Sequence, residues 1–174
     1  MAASTPTDPP GDLDRFHHRD PLSARAHDHL GLEVLDEAEC RALLASRTIG
    51  RVGLSMDALP VILPVNYAVM DDAILIRSTE GSKLSAAWRG AVVAFEIDDY
   101  DPLTHTGWSV LVQGTARVLN APVELASARQ QPLEPWAHPE EGAFVSITCD
   151  LLSGRRLAGW QPLTGLPISR PPGR

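Results

Sequence analysis

Residues 48–119 contain a series of short β-type segments separated by turn signals. β-Branched and other apolar side chains recur in three of these segments, residues 48–55, 60–69 and 73–78. Only a few residues of turn-forming composition separate one segment from the next. Short segments joined by tight connections are typical of strands that pair with their neighbours along the chain. The pattern therefore predicts a meander of antiparallel hairpins.

The β-rich pattern continues towards the carboxyl end of the chain. Further strands are predicted over residues 91–97, 108–119, 144–151 and 156–160. Residues 98–107 are polar and predict a loop, and Ser153 with Gly154 predicts the turn between the last two strands. A sheet of six or seven such strands loses its exposed edges when it closes, so the predicted fold class is mainly β, a small β-barrel with a few short helices.

Short helices are predicted between some of the strands. Asp36 is a favourable N-cap, acidic residues follow it, and Cys40 and Leu44 recur at helical spacing, which predicts a helix that ends near Ser46. Residues 79–89 and 123–129 have the composition of two further short helices.

The 174 residues correspond in length to one domain. Residues 1–30 are rich in proline and charged residues, and they carry too few large apolar side chains to offset the entropy of ordering. We therefore expect a disordered or weakly ordered amino-terminal tail over residues 1–30. Residues 31–162 are predicted to form the barrel domain, and residues 163–174 a frayed carboxyl-terminal tail.

The charge balance excludes some classes of partner. The net charge of −7 argues against general binding of nucleic acid or of anionic membranes, since both usually require a basic surface. Apolar runs are too short to span a bilayer, and no secretory signal opens the chain, so we expect a cytoplasmic protein. Cys40 and Cys149 have no partner pattern for zinc, and no metal site is predicted.

One turn gathers groups that suit an anion. Lys83 is the only lysine in the chain, and Arg77 precedes it by six residues. The segment between them offers hydroxyl groups, a glycine and the start of a predicted helix, and these features together can neutralise and hold a phosphate. An exposed turn that merely carries two cations is the alternative interpretation. The polar members of this candidate site are Arg77, Ser78, Thr79, Ser82 and Lys83.

Several motifs in this order resemble the pyridoxamine 5′-phosphate oxidase-like family, the FMN-binding split β-barrel proteins. The resemblance covers residues 35–119. It rests on short stretches around residues 39–40, 50–52, 64–67, 81–84 and 93–96, and on the strand that begins at Trp108. It implies a split β-barrel of the FMN-binding type and a homodimer with the cofactor at the subunit interface.

The resemblance also implies roles for individual residues. Arg77, Ser82 and Lys83 would hold the FMN phosphate, with Ser78 and Thr79 nearby. The backbone of Pro64, Val65 and Asn66 would run along the flavin ring. Trp108 and Ser109 would line the ring or the ribityl chain, completing the pocket across the dimer. No catalytic residue is assigned, because the flavin ring itself carries the electrons.

Near its carboxyl end the chain departs from pyridoxamine 5′-phosphate oxidase, the enzyme after which the family is named. Arg155 and Arg156 are not followed by the histidine of the family's substrate site, so oxidation of pyridoxamine phosphate is not expected. The resemblance instead implies an FMN-dependent oxidoreductase that acts on an unidentified small molecule. The alternatives are a deazaflavin-dependent reductase and a non-enzymatic protein that binds flavin or haem.

Overall fold

The computed structural model of the chain describes residues 26–78, 88–133 and 142–158. These residues form eight strands and two helices. The strands are β1 (Glu33–Leu35), β2 (Ile49–Met56), β3 (Leu59–Met70), β4 (Ala73–Ser78), β5 (Val92–Asp101), β6 (Thr106–Val118), β7 (Ala143–Ile147) and β8 (Leu151–Ala158). The helices are α1 (Glu37–Ala45) and α2 (Pro122–Ala128).

Six of the strands close into an antiparallel barrel. Going round it, β2 pairs with β3, β3 with β4, β4 with β7, β7 with β6, β6 with β5, and β5 with β2. Closure is possible because β6 is long: its last residues pair with β7, while most of its length pairs with β5 and β8. Strands β8 and β1 extend the sheet beyond β6. The predicted mainly β barrel with a few short helices is thus confirmed.

The barrel encloses one main core. Tyr67 and Phe95 contact each other edge to face inside it, with their ring centroids 4.8 Å apart. Strand β4 is buried on both sides, because Ile74 and Ile76 face the main core while Leu75 packs in a second cluster. The other buried members of that second cluster are Leu119, Ala128 and Phe144.

Helix α1 forms as the sequence predicts. The Asp36 carboxylate accepts a hydrogen bond from the Glu39 N–H at 2.8 Å, and the Glu39 carboxylate accepts one from the Asp36 N–H at 3.1 Å. Cys40 and Leu44 are the buried face of the helix. Tyr67 on β3 donates its hydroxyl hydrogen to the Leu44 carbonyl at 2.6 Å, which ties α1 to the barrel.

The loop predicted over residues 98–107 is wrong, because most of it is a hairpin. Strand β5 continues to Asp101, β6 begins at Thr106, and Asp98 pairs with Ser109. These residues are polar because the hairpin extends into solvent, not because pairing stops. The Asp101 carboxylate accepts a hydrogen bond from the Leu103 N–H at 2.8 Å and stabilises the turn.

The last two strands were placed incorrectly by the sequence pattern. Strand β7 ends at Ile147, and β8 runs through Ser153 and Gly154, where a turn was predicted. A Cβ atom on Gly154 would lie 2.6 Å from the Cys40 Sγ atom, so the glycine permits α1 to pack closely. Residues 79–87 of the predicted second helix lie outside the described residues, as do residues 1–25 of the predicted amino-terminal tail and all of the predicted carboxyl-terminal tail.

Candidate functional site

Strand β3 presents two of the predicted flavin contacts on the outside of the barrel. Tyr67 points into the core, so Pro64 and Asn66, which are an odd number of residues away, lie on the opposite side. Val65 faces inward and packs against the core. We call the side of β3, β2, β5 and β6 that points away from the core the outer face.

The end of β4 places Arg77 next to this part of β3. Tyr67 pairs with Ile76 in the last step of the β3–β4 ladder, and Arg77 and Asn66 are the next residues on the two strands. The Arg77 guanidinium lies over the Phe144 ring, 5.4 Å from its centroid. A Cβ atom on Gly142 would lie 3.4 Å from the Arg77 Nε atom, so this glycine leaves the room that the guanidinium occupies. The fold thus places Arg77 on the strand next to the one that carries Pro64 and Asn66.

Ser78 points the other way, into the protein. Its hydroxyl oxygen accepts a hydrogen bond from the Trp88 indole N–H at 3.2 Å, and both residues are buried. Ser78 therefore has a structural contact in addition to its predicted place near a phosphate. The remaining predicted phosphate contacts, Thr79, Ser82 and Lys83, lie outside the described residues.

Trp108 and Ser109 are not close to the β3 residues within one chain. They lie on β6, and β5 and β2 separate that strand from β3 on one side of the closed barrel, while β7 and β4 separate it on the other. Trp108 is partly buried against the core, and the Arg47 guanidinium lies 5.2 Å from the centroid of its ring. The prediction that Ser109 and Trp108 complete a flavin pocket across a dimer stays a prediction.

A charged cluster on the outer face was not predicted from the sequence. Arg51, which pairs across the strands with Pro64 and with Glu96, forms ion pairs with Glu96 and Asp98. Burial and the neighbouring Asp98 carboxylate raise the pKa of Glu96, against the opposing effect of Arg51. Only the strand register assembles these residues, so no local motif could have found them.

Apolar side chains lie beside this cluster on the outer face. Gly53 pairs with Ile62 on β3 and with Ala94 on β5. Ile62 is 71% exposed and Val92, two residues before Ala94, is 79% exposed. Glycine and alanine make the middle of this surface flat, and exposed isoleucine and valine make it apolar, as is typical of a surface that another molecule covers.

A basic cavity of about 440 Å³ opens at the end of β4. It lies between the start of β7 and the end of α2, and Arg77, Arg89 and Arg129 contribute to its lining together with Asn120. Arg77 was predicted from the sequence, but Arg89 and Arg129 were not, because they are distant in the chain and neither belongs to a motif.

Clusters of metal-ligating side chains and membrane-spanning helices are both absent from the described residues. No group of three or more histidine, cysteine, aspartate or glutamate side chains there could hold a metal ion. Neither helix in the described part of the chain is long and apolar enough to cross a membrane.

Comparison with known proteins gives matches over most of the chain. A family model described as pyridoxamine 5′-phosphate oxidase matches residues 36–156. The uncharacterized protein Rv0080 of Mycobacterium tuberculosis is 40% identical over 144 residues, which cover 79% of this chain and 94% of that protein.

Solved structures match as well. A FAD binding protein from Mycobacterium smegmatis has a TM-score of 0.64 and 36% identity, over 71% of this chain and 96% of that one. A FAD-binding protein from Mesorhizobium loti has a TM-score of 0.57 and 23% identity, over 73% and 99% of the two chains. At that identity the second likeness concerns the fold alone.

Proposed function

This chain belongs to the pyridoxamine 5′-phosphate oxidase family, and we propose that it binds a flavin nucleotide and uses it to oxidise or reduce a small molecule. The observation that carries the proposal is the position of Arg77 near the end of β4, the strand next to the one that carries Pro64 and Asn66. A flavin nucleotide carries a flat ring and a phosphate. The strand backbone at Pro64 and Asn66 suits the ring, and the Arg77 guanidinium suits the phosphate.

The ring would lie along the backbone of residues 64–66. A flavin ring carries nitrogens and carbonyl groups that a strand backbone can satisfy by hydrogen bonds, and the ring supplies the redox chemistry. Pro64 is exposed and has no N–H, which suits a ligand that approaches the strand at that point. Asn66 and Val65 would contact the ring mainly through their backbone groups.

The phosphate would lie at the end of β4. The Arg77 guanidinium lies there over the Phe144 ring, in the room that Gly142 leaves because it has no side chain. A guanidinium fixed in this way can form two parallel hydrogen bonds to a phosphate. Thr79, Ser82 and Lys83 follow within six residues and are proposed to complete the phosphate site, with Ser78 nearby.

FMN is the cofactor that we propose first, because the flavin ring and one phosphate account for all the predicted contacts. FAD is the second candidate, since the M. smegmatis relative with 36% identity is a FAD binding protein. A deazaflavin cofactor and haem remain alternatives that the same spectroscopic experiment distinguishes.

We propose further that the protein is a homodimer with the flavin at the interface. The flat apolar surface around Gly53, Ile62 and Val92 supports this, because its burial would be favourable. The position of β3 and β6 on opposite sides of the six-stranded barrel supports it too, because it separates their predicted site residues within one chain. Trp108 and Ser109 would then contact a flavin bound to the partner subunit.

The substrate is proposed to be a small molecule other than pyridoxamine phosphate. The basic residues of β8 are already engaged: Arg155 pairs with Asp28 at 2.7 Å, and Arg156 lies 3.8 Å from Glu33 and 3.7 Å from Glu39. Arginines that neutralise carboxylates of their own chain are poorly placed to bind a substrate phosphate.

Absorbance and titration of the purified protein test the proposal. We expect flavin absorbance in the protein as purified or after addition of FMN, whereas haem or a deazaflavin would give a different spectrum. Arg77→Ala and Lys83→Ala should each weaken FMN binding by about 10-fold or more, the scale of a lost charge-assisted contact.

Arg41→Ala is the control variant. It removes the same charge from α1, where Arg41 pairs with Glu37 and Asp72 and takes no part in the proposed site. Wild-type protein that binds no flavin of any kind would refute the proposed function. Unchanged affinity in Arg77→Ala and Lys83→Ala would refute the phosphate site.

A further inference from the structure

Arg47 connects helix α1 to both strands of the β5–β6 hairpin. It follows the C-cap of α1, and its guanidinium donates a hydrogen bond to the Asp99 carboxylate of β5 at 2.6 Å. The same guanidinium lies over the indole of Trp108 on β6, with its Cζ atom 5.2 Å from the ring centroid. Such a contact is attractive, because the face of an aromatic ring carries partial negative charge. Asp99 and Trp108 are a cross-strand pair, so one side chain holds both strands of the hairpin.

Hydrogen bonds fix the backbone on both sides of Arg47. Before it, the Ser46 N–H donates to the Leu43 carbonyl at 3.0 Å at the end of α1. After it, the Thr48 carbonyl accepts a hydrogen bond from the Tyr67 N–H of β3 at 2.9 Å. The Arg47 side chain therefore extends from an anchored base, so that it is preorganised as a support for the hairpin.

The hairpin needs support on its β5 side at this level. The ladder between β2 and β5 reaches only to Glu96, and residues 98–101 of β5 beyond it are exposed. On the other side, β8 runs beside β6 as far as Thr106. Asp99 therefore lies on the open edge of the hairpin, where the ion pair with Arg47 takes the place of a neighbouring strand.

Only part of the Trp108 indole remains available to a ligand. The side chain packs against the main core, and Arg47 covers one area of the ring. Trp108 also lines a cavity of about 390 Å³, together with residues that include Asp99 and Leu157. An indole in contact with a cavity can turn about its side-chain bonds unless a neighbour prevents it. The guanidinium of Arg47 is a neighbour of this kind, so it sets which surface of the ring is presented.

We propose that Arg47 is a positioning residue of the flavin site, which holds the Trp108 indole in the orientation that meets the flavin of the partner subunit. This inference rests on the proposed function, which assigns Trp108 to that flavin. Arg47 makes no contact with the flavin in this arrangement and acts through the indole. Asp99 contributes by directing the guanidinium towards the ring. Helix α1 thereby becomes part of the support of the binding site.

A double-mutant cycle on FMN binding tests the proposal. Dissociation constants for FMN are measured with wild-type protein, Arg47→Ala, Trp108→Ala and the double variant. Arg47→Lys is added because lysine keeps a cation for Asp99 but lacks the planar guanidinium that lies over the ring. Arg41→Ala is the control, since Arg41 also lies on α1 and pairs with two carboxylates, neither of which is on the hairpin.

The expected effect of Arg47 depends on the presence of the indole. Arg47→Ala should weaken FMN binding by about 3-fold or more, the scale of the cost of immobilising a side chain that was free before binding. In the Trp108→Ala background the same substitution should change the affinity by less than about 1.5-fold, because the side chain through which it acts is gone. Arg47→Lys should give an intermediate affinity, and Arg41→Ala should bind FMN as the wild type does.

Tryptophan fluorescence follows the indole without flavin. The contribution of Trp108 to each spectrum is obtained by subtracting the spectrum of the same protein with Trp108→Phe. Loss of Arg47 should shift this emission to longer wavelength and increase its quenching by iodide, because the guanidinium no longer covers the ring. Circular dichroism checks that every variant is folded. Unchanged emission and quenching in Arg47→Ala would overturn the proposal.

Binding results distinguish failure of this inference from failure of the proposed function. If the wild type binds FMN, unchanged affinity in Arg47→Ala overturns the inference alone. Equal weakening with and without the indole also overturns it, because Arg47 would then act independently of Trp108. FMN binding that does not respond to Trp108→Ala overturns it and removes Trp108 from the proposed site. Wild-type protein that binds no flavin would refute the proposed function and this inference together.

Discussion

The indole N–H of Trp88 donates a hydrogen bond to the hydroxyl oxygen of Ser78 at 3.2 Å, and both residues are buried. Ser78 is the last residue of β4, and Trp88 follows the segment 79–87 that carries Thr79, Ser82 and Lys83. The hydrogen bond thus joins the two ends of the segment proposed to hold the flavin phosphate. A core contact of the barrel thereby holds both ends of the proposed binding segment.

Ser78→Ala should therefore destabilise the protein. The substitution leaves the buried indole N–H without this acceptor, at a cost of about 1–3 kcal/mol in the free energy of unfolding. Urea denaturation followed by circular dichroism measures it. In a Trp88→Phe background the same Ser78→Ala substitution should cost clearly less, because the donor is already gone. Equal costs in the two backgrounds would show that the hydrogen bond does not contribute.

Gly50 and Gly53 on β2 should respond differently to a methyl group. A Cβ atom on Gly50 would lie 2.3 Å from Cζ of the Phe95 ring in the core, whereas one on Gly53 would have nothing closer than 3.8 Å. Gly50→Ala should cost about 1–3 kcal/mol or more from overpacking. Gly53→Ala, the matched control, should change the free energy of unfolding much less. Equal losses in urea denaturation would contradict this account.

The sequence predicted the architecture where local signals agree with the packing. Asp36 followed by acidic residues predicted the start of α1, and short apolar segments separated by tight turns predicted the hairpins of β2, β3 and β4. It failed where a residue has a long-range role. Gly154 was interpreted as a turn former, but it is needed for the approach of Cys40, which lies far away in the sequence.

Residues of the candidate site were likewise predicted where they form a local motif and missed where only the fold brings them together. Arg77 was found because it precedes a turn with several phosphate-binding residue types. Arg89 and Arg129 were missed because only the closed barrel brings them to one cavity. The Arg51 ion pairs with Glu96 and Asp98 depend on the register between β2 and β5, and the composition of single strands does not determine that register.

Ile62→Glu should disrupt the proposed dimer. Ile62 is 71% exposed on the apolar outer face, and a buried, unpaired carboxylate in an interface is strongly unfavourable. Analytical ultracentrifugation should show a shift from dimer to monomer, with weaker FMN binding if the partner subunit contributes Trp108 and Ser109. Val123→Glu is the control, because Val123 is 74% exposed on α2, away from this face. A monomeric wild type, or an unchanged dimer in Ile62→Glu, would refute the proposed interface.

The free energy of unfolding should fall at alkaline pH, because the Tyr67 hydroxyl ionises less readily in the folded protein than in the unfolded chain. Burial raises the pKa of its hydroxyl to about 12, from an ordinary value of 10.0. Between these values the unfolded chain loses the proton while the folded chain keeps it, so the unfolded state gains in relative stability as the pH rises. Below pH 10 both states hold the proton, and the hydrogen bond to Leu44 contributes in full.

The comparison of wild type with Tyr67→Phe isolates this effect. Tyr67→Phe should be less stable by about 1 kcal/mol near pH 8, since the hydrogen bond is lost. From pH 10 towards 12 the advantage of the wild type should shrink, by on the order of 1 kcal/mol per pH unit at the steepest point. Urea denaturation across this range measures the difference, in which the contribution of Tyr100, common to both proteins, cancels. Parallel curves for the two proteins would mean that the Tyr67 hydroxyl ionises as readily in the folded protein as in the unfolded chain.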